Sequence, residues 1–68
     1  MPNYYVNANA QPTGEHEVHK EGCTKPPLPH NKIPLGSHAS CQSAVAKAKP
    51  MFQKVDGCAY CSPECHTK

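Results

Sequence analysis

Two short clusters constrain this chain more than any apolar pattern in it: H-K-E-G-C at residues 19–23 and C-A-Y-C at residues 58–61. Each places two metal-ligating side chains within a few positions, and 34 residues separate Cys23 from Cys58. A short ligand pair, a long segment and a second short pair is the spacing logic of structural zinc. Each tight turn can aim two donors at one ion about 2.0–2.3 Å away, and the ion then closes the long loop between them. Gly22 and Gly57 each stand immediately before a cysteine, where they give the backbone the freedom such knuckles need. The set read from this spacing is His19, Cys23, Cys58 and Cys61, a tetrahedral Cys3His site for Zn2+.

A staple of this kind is needed. The chain has 68 residues, read as one domain over 1–68, with no Trp and with Phe52 as its only Phe. The candidate core is Tyr4, Tyr5, Val6, Val18, Leu28, Ile33, Leu35, Val45, Ala48, Met51, Phe52 and Val55. Burying one large apolar side chain contributes roughly 1.5–3 kcal/mol. Ordering each residue costs on the order of 1.5 kcal/mol. A dozen modest side chains do not offset that for the whole chain, so a covalent or metallic cross-link is expected.

The same pool of donors supports other assignments. His16, Cys65 or His66 could replace His19, and Cys23, Cys58, Cys61 and Cys65 could form a four-cysteine site. A disulfide framework without metal is a further alternative, and Cys41–Cys65 is a possible pair even beside a zinc site. The count of five cysteines argues against a framework of disulfides alone. Cys41 by itself reads as a small buried residue on a helix face, or as a thiol made reactive by the helix N-terminus. A thioredoxin-like role for C-A-Y-C requires a helix after the motif, whereas Ser62 and Pro63 follow it. Covalent haem attachment requires C-x-x-C-H, and position 62 is Ser. An iron–sulfur cluster on the four cysteines is a weaker alternative. No carboxylate or amide stands out to orient a Cys/His hydrolase, so the chain is not read as an enzyme.

The segments around these donors predict an α+β mini-domain, a two- or three-stranded antiparallel sheet with one helix. Residues 3–9 are rich in Tyr and Val and read as a strand, residues 11–14 (QPTG) as a turn, and residues 15–19 as a returning strand. On that second strand Glu15, Glu17 and His19 share one face while His16 and Val18 share the other. Residues 25–34 hold four of the eight prolines, which makes this stretch extended or loop-like. It reads as a rigid connector before a short edge strand at 33–35, more than as a PxxP ligand. Residues 40–49 predict a helix with Ser40 as N-cap, burying Cys41, Ala44, Val45, Ala48 and Phe52 along one stripe. Pro50 ends it, and Asp56-Gly57 reads as a turn.

Charge and leader signals narrow the functional class. The net charge is +2, and all seven basic residues are Lys. Arg is the residue suited to bidentate phosphate and guanine contacts, so its absence makes a protein partner the stronger expectation and nucleic acid the weaker. Residues 2–11 carry neither a basic n-region nor an apolar h-region, and no run approaches the ~20 apolar residues of a span. The expectation is a monomeric cytoplasmic protein with no membrane partner. Exposed Tyr4, Tyr60 and scattered Lys would be its contact material. A second functional expectation is a thiol-based redox or metal-handling protein that uses Cys41 or Cys65.

The order of these elements resembles the small Ada-like metal-binding domains: a hairpin ending in H-x-x-x-C, a linker, a short strand, a helix starting S-C-x-x-A-V-x-x-A-K, then C-x-x-C. The resemblance covers about residues 3–61. With HEVH, SC, AV, AK, DGC and CH as they stand here, the whole chain is also similar to a family of small bacterial proteins to which no activity attaches. Ada-like domains ligate through four cysteines, repair methylated DNA phosphate through one of them and lean on Arg. His at position 19 and the lack of Arg depart from that pattern. The resemblance therefore implies the fold and the metal, and not the repair chemistry.

Overall fold

The computed structural model describes residues 1–12, 14–23 and 31–67. Its elements run β1 (Asn3–Asn7), β2 (His16–Lys20), β3 (Lys32–Ser37), α1 (Cys41–Ala48), β4 (Val55–Gly57) and a 3₁₀ turn (Pro63–Cys65). The strands form one sheet in the order β3-β1-β2-β4. β1 pairs antiparallel with β2, placing Tyr5 opposite His19 and Val6 opposite Val18. β3 pairs antiparallel with the other side of β1. β4 lies parallel to β2, placing Val55, Asp56 and Gly57 against His16, Glu17 and Val18.

The α+β class is as expected, but the sheet is larger and mixed. A fourth strand stands where the sequence reads Asp56-Gly57 as a turn. Its residues have no alternating pattern because strand and tail contacts bury Asp56 and Gly57 in succession. Pro34 falls inside β3, and an edge strand tolerates it because one row of its backbone groups needs no ladder partner. The pairing of β3 shifts between Tyr4 and Tyr5. Leu35 is the extra residue there, and it enters the core.

Alternation along β1 and β2 sorts their side chains onto two faces. Tyr4, Val6 and Val18 join Leu35, Cys41, Ala44 and Ala48 in the core between sheet and helix, so Tyr4, 6% exposed, is a core residue and not the exposed contact residue expected from the sequence. The helical stripe follows the expected spacing, with Val45 and Phe52 half-buried against that core. Ser40 occupies the N-cap position without a side-chain cap bond. Tyr5 departs from the expected core because it lies on the opposite face of β1. Met51 is a further correction: it is 46% exposed, since the helix ends at Ala48 and the following turn carries it outward. Leu28 and most of the proline-rich connector, residues 25–30, lie outside the described residues.

Cys41 and Cys65 form a disulfide. This bond ties the first turn of α1 to the 3₁₀ turn Pro63–Cys65. Closing 24 positions in this way stabilises the fold by up to about 3.4 kcal/mol in the chain-entropy account. Among the described residues, no helix is long and apolar enough to cross a membrane.

Candidate metal centre

The sheet face away from α1 carries the site. His19 follows core residue Val18 and so points to the other side of β2, where it is 2% exposed. The chain then turns sharply at Gly22, whose φ of +89° belongs to the left-handed region that glycine enters without a Cβ penalty. That turn, closed by the Cys23 N–H donating to the Lys20 carbonyl at 3.1 Å, returns Cys23 to the side of His19. The second pair arrives from β4. The Cys58 N–H donates to the Val18 carbonyl at 3.0 Å, which extends the parallel pairing by one residue and sets Cys58 beside the hairpin exit. A turn closed by the Ser62 N–H on the Cys58 carbonyl, 2.8 Å, brings Cys61 to the same point.

The four ligand atoms of His19, Cys23, Cys58 and Cys61 lie within 4.8 Å of one another. Cys23 Sγ and Cys58 Sγ are 3.7 Å apart, and Cys61 Sγ is 3.8 Å from His19 Nδ1. A tetrahedral ion with metal–sulfur bonds of about 2.3 Å separates its sulfurs by about 3.8 Å. The cluster therefore fits one ion held by four protein atoms, three sulfurs and one imidazole nitrogen. All four residues are those the sequence spacing picks out.

The competing donors are elsewhere. His16 lies on the helix side, with its ring stacked on Phe52 at 3.7 Å between centroids. Its Nδ1 donates to the Asn7 carbonyl at 2.9 Å. Cys65 is consumed by the disulfide, which removes the four-cysteine alternative and leaves neither Cys41 nor Cys65 as a free thiol. His66 Nδ1 donates to the Gly57 carbonyl at 3.0 Å and stands 3.4 Å from Asp56 Oδ2. Every cysteine thus has a place, three in the cluster and two in the bond.

Residues around the four tune them. His19 Nε2 faces Glu17 Oε1 at 3.6 Å, and Nδ1 is the ring nitrogen turned toward Cys61 Sγ, where a metal could be held. Tyr5 stacks against the imidazole at 5.8 Å between centroids, and Lys32 Nζ lies 4.6 Å above the Tyr5 ring. Burial, assisted by the Lys32 charge, holds the His19 pKa below its ordinary value. This favours the neutral imidazole that a metal requires. The Lys20 N–H points at Cys61 Sγ at 3.3 Å. An amide donor of this kind stabilises a thiolate. Burial still dominates: together with hydrogen bonds that the protonated Cys61 S–H makes to the Cys23 and Cys58 sulfurs, it pushes the Cys61 thiol up to about 12. A cation held there would reverse that by favouring the thiolates.

Glu17 and Tyr5 carry roles that sequence reasoning left unassigned. Glu17 had one signal, its place two residues before His19 on the same strand face. Tyr5 had none, because its partner is fixed by the hairpin register.

Gly57 serves a purpose different from Gly22. A Cβ built on it would sit 2.6 Å from Cys65 Cβ, 2.8 Å from the Cys65 carbonyl carbon and 2.9 Å from the Ser62 carbonyl oxygen. The segment after the knuckle therefore folds directly over β4, and only glycine leaves room for it.

No protein-family model, curated protein or solved structure matches this chain. The reading of the site rests on its own geometry.

Proposed function

We propose that this protein is a zinc-stabilised, non-catalytic interaction module whose ion is held by His19, Cys23, Cys58 and Cys61. The observation that carries the proposal is the convergence of the four ligand atoms within 4.8 Å from two pairs 35 positions apart. Three thiolates and one imidazole suit Zn2+, while Ca2+ and Mg2+ prefer oxygen donors. Four protein ligands close the coordination sphere. Catalytic zinc keeps one position open for water or substrate, so a closed sphere assigns the ion to folding.

The partner in this reading is a protein. Tyr60 stands 68% exposed at the tip of the C-A-Y-C knuckle, and an amphipathic aromatic in that position is suitable contact material. Nucleic acid is the weaker alternative, given seven Lys and no Arg. A nucleic-acid partner would show affinity falling steeply with salt. We place the module in the cytoplasm as a monomer.

Native mass spectrometry and chelation test the metal. One Zn2+ per chain, displaced protons and loss of dispersed amide signals on chelation are the expected results. Structural zinc contributes apparent binding free energy of about 10–16 kcal/mol at neutral pH, more than a domain of this size holds in reserve. A chelated protein with unchanged amide dispersion would overturn the structural role.

A further inference from the structure

We infer that the Cys41–Cys65 disulfide is a redox control on the metal centre, such that reducing it weakens metal binding at His19, Cys23, Cys58 and Cys61. The inference rests on the metal reading above and adds its regulation.

The path between the two sites is short and made of packed backbone. Cys65 Cβ lies over Gly57, the residue immediately before ligand Cys58, at a separation that admits no side chain. The Cys65 N–H donates at 3.0 Å to the carbonyl of Ser62, the residue immediately after ligand Cys61. Ser62 is itself 1% exposed, and its N–H closes the knuckle on the Cys58 carbonyl. Both ends of the ligand turn 58–61 are therefore held by the segment that carries Cys65. That segment is anchored to α1 through the disulfide, and Cys41 at the other end is buried in the core at 3% exposure. With the bond intact, the second ligand pair is presented already formed. With it broken, the covalent anchor is gone and the turn must be ordered at the moment of binding, which lowers affinity.

The chemistry balances with a monothiol as reductant. Its thiolate attacks the sulfur of Cys65, the more exposed partner, and the Cys41 sulfur leaves as a thiolate and takes up a proton. A second monothiol attacks the mixed disulfide, frees the Cys65 thiol and departs joined to the first as their own disulfide. Two electrons pass from the two monothiols to Cys41 and Cys65. In a reducing compartment such a bond is in exchange with the thiol pool, as regulatory disulfides are. The three cluster sulfurs are a separate set, so the control bond and the ligands do not compete for the same atoms.

Linkage makes the coupling measurable from either side. If disulfide formation raises metal affinity by a given factor, metal binding raises the resistance of the disulfide to reduction by the same factor. The expected factor is at least tenfold, which corresponds to about 30 mV for a two-electron couple. Co2+ titration of the full chain, followed by Zn2+ competition, gives affinities for the oxidised and the glutathione-reduced protein. Alkylation and mass counting in glutathione buffers, with and without Zn2+, give the reduction equilibrium of the wild-type chain. A Cys41→Ser/Cys65→Ser double variant removes any part the new thiols play as ligands and should match the reduced protein.

Thiolate-to-Co2+ absorption in the oxidised protein, at least tenfold weaker binding after reduction, and the same factor in the glutathione equilibrium support the inference. Equal affinities in both redox states overturn it, as does tighter binding in the reduced state. Failure of the oxidised protein to bind Co2+ at all overturns the metal reading itself. If the double variant does not fold, the glutathione equilibrium of the wild type alone decides, and a midpoint unmoved by Zn2+ refutes the coupling.

Discussion

Replacing Gly57 with Ala tests whether the knuckle and the C-terminal turn pack as one unit. The added methyl would lie 2.6 Å from Cys65 Cβ, 2.8 Å from the Cys65 carbonyl carbon and 2.9 Å from the Ser62 carbonyl oxygen. Carbon atoms rest at about 3.5–4.0 Å, so the closest overlap is about 1 Å. Overpacking of this kind costs about 1–3 kcal/mol. Two of the three clashing atoms are backbone and cannot rotate away, which puts Gly57→Ala at the upper end, about 3 kcal/mol. In a chain of this length that lowers the melting temperature by on the order of 15 °C. The assay is thermal and urea unfolding of the metal-loaded protein beside Gly22→Ala. At Gly22 a Cβ meets nothing within 4 Å, and the φ of +89° is the only obstacle. That substitution should cost about 1–2 kcal/mol. Gly57→Ala should also weaken metal binding, because relief of the clash moves the residues flanking Cys58 and Cys61. A Gly57→Ala protein that melts within about 2 °C of the parent and binds metal equally well would refute the packing argument.

Other outcomes follow from the same geometry. His19→Ala should reduce Co2+ affinity by more than Glu17→Gln, which should cost about 10–100-fold through loss of ring orientation. His16→Gln should leave affinity unchanged; an effect of His16→Gln equal to that of His19→Ala would mean the wrong histidine has been assigned. Metal affinity should fall as pH falls, because ion binding displaces the proton that burial holds on Cys61. Affinity measured across pH 6–8 checks this, and a flat profile counts against thiolate ligation. His19 contributes in the same direction. Its folded pKa is depressed, so the stability it supplies is present above the ordinary histidine value of about 6.5 and is lost as pH falls through the folded one. Following the His19 ring protons by NMR through an acid titration would show protonation delayed below that value.

Much of this protein is legible along the chain because the determining information is local. The spacing of His19 and Cys23, and of Cys58 and Cys61, requires only short turns to bring each pair together. The alternation of β2 puts Val18 and His19 on opposite faces, and the 3.6-residue period of α1 puts Cys41, Ala44 and Ala48 on one. Residue order alone therefore determined the ligand pairs, the hairpin, the helix and its buried stripe. Tertiary structure decided whatever depends on residues distant in sequence. Cys41 and Cys65 are 24 positions apart; the sequence offers them as one possible pair among alternatives, and the fold is what joins them. The parallel seat of β4 comes from backbone groups of β2 and from the tail that buries Asp56, not from any pattern in Val55–Gly57. Gly57 reads as a flexible residue before a cysteine. Only the fold shows it to be a point of backbone contact, where a segment eight residues further on rests directly on the strand.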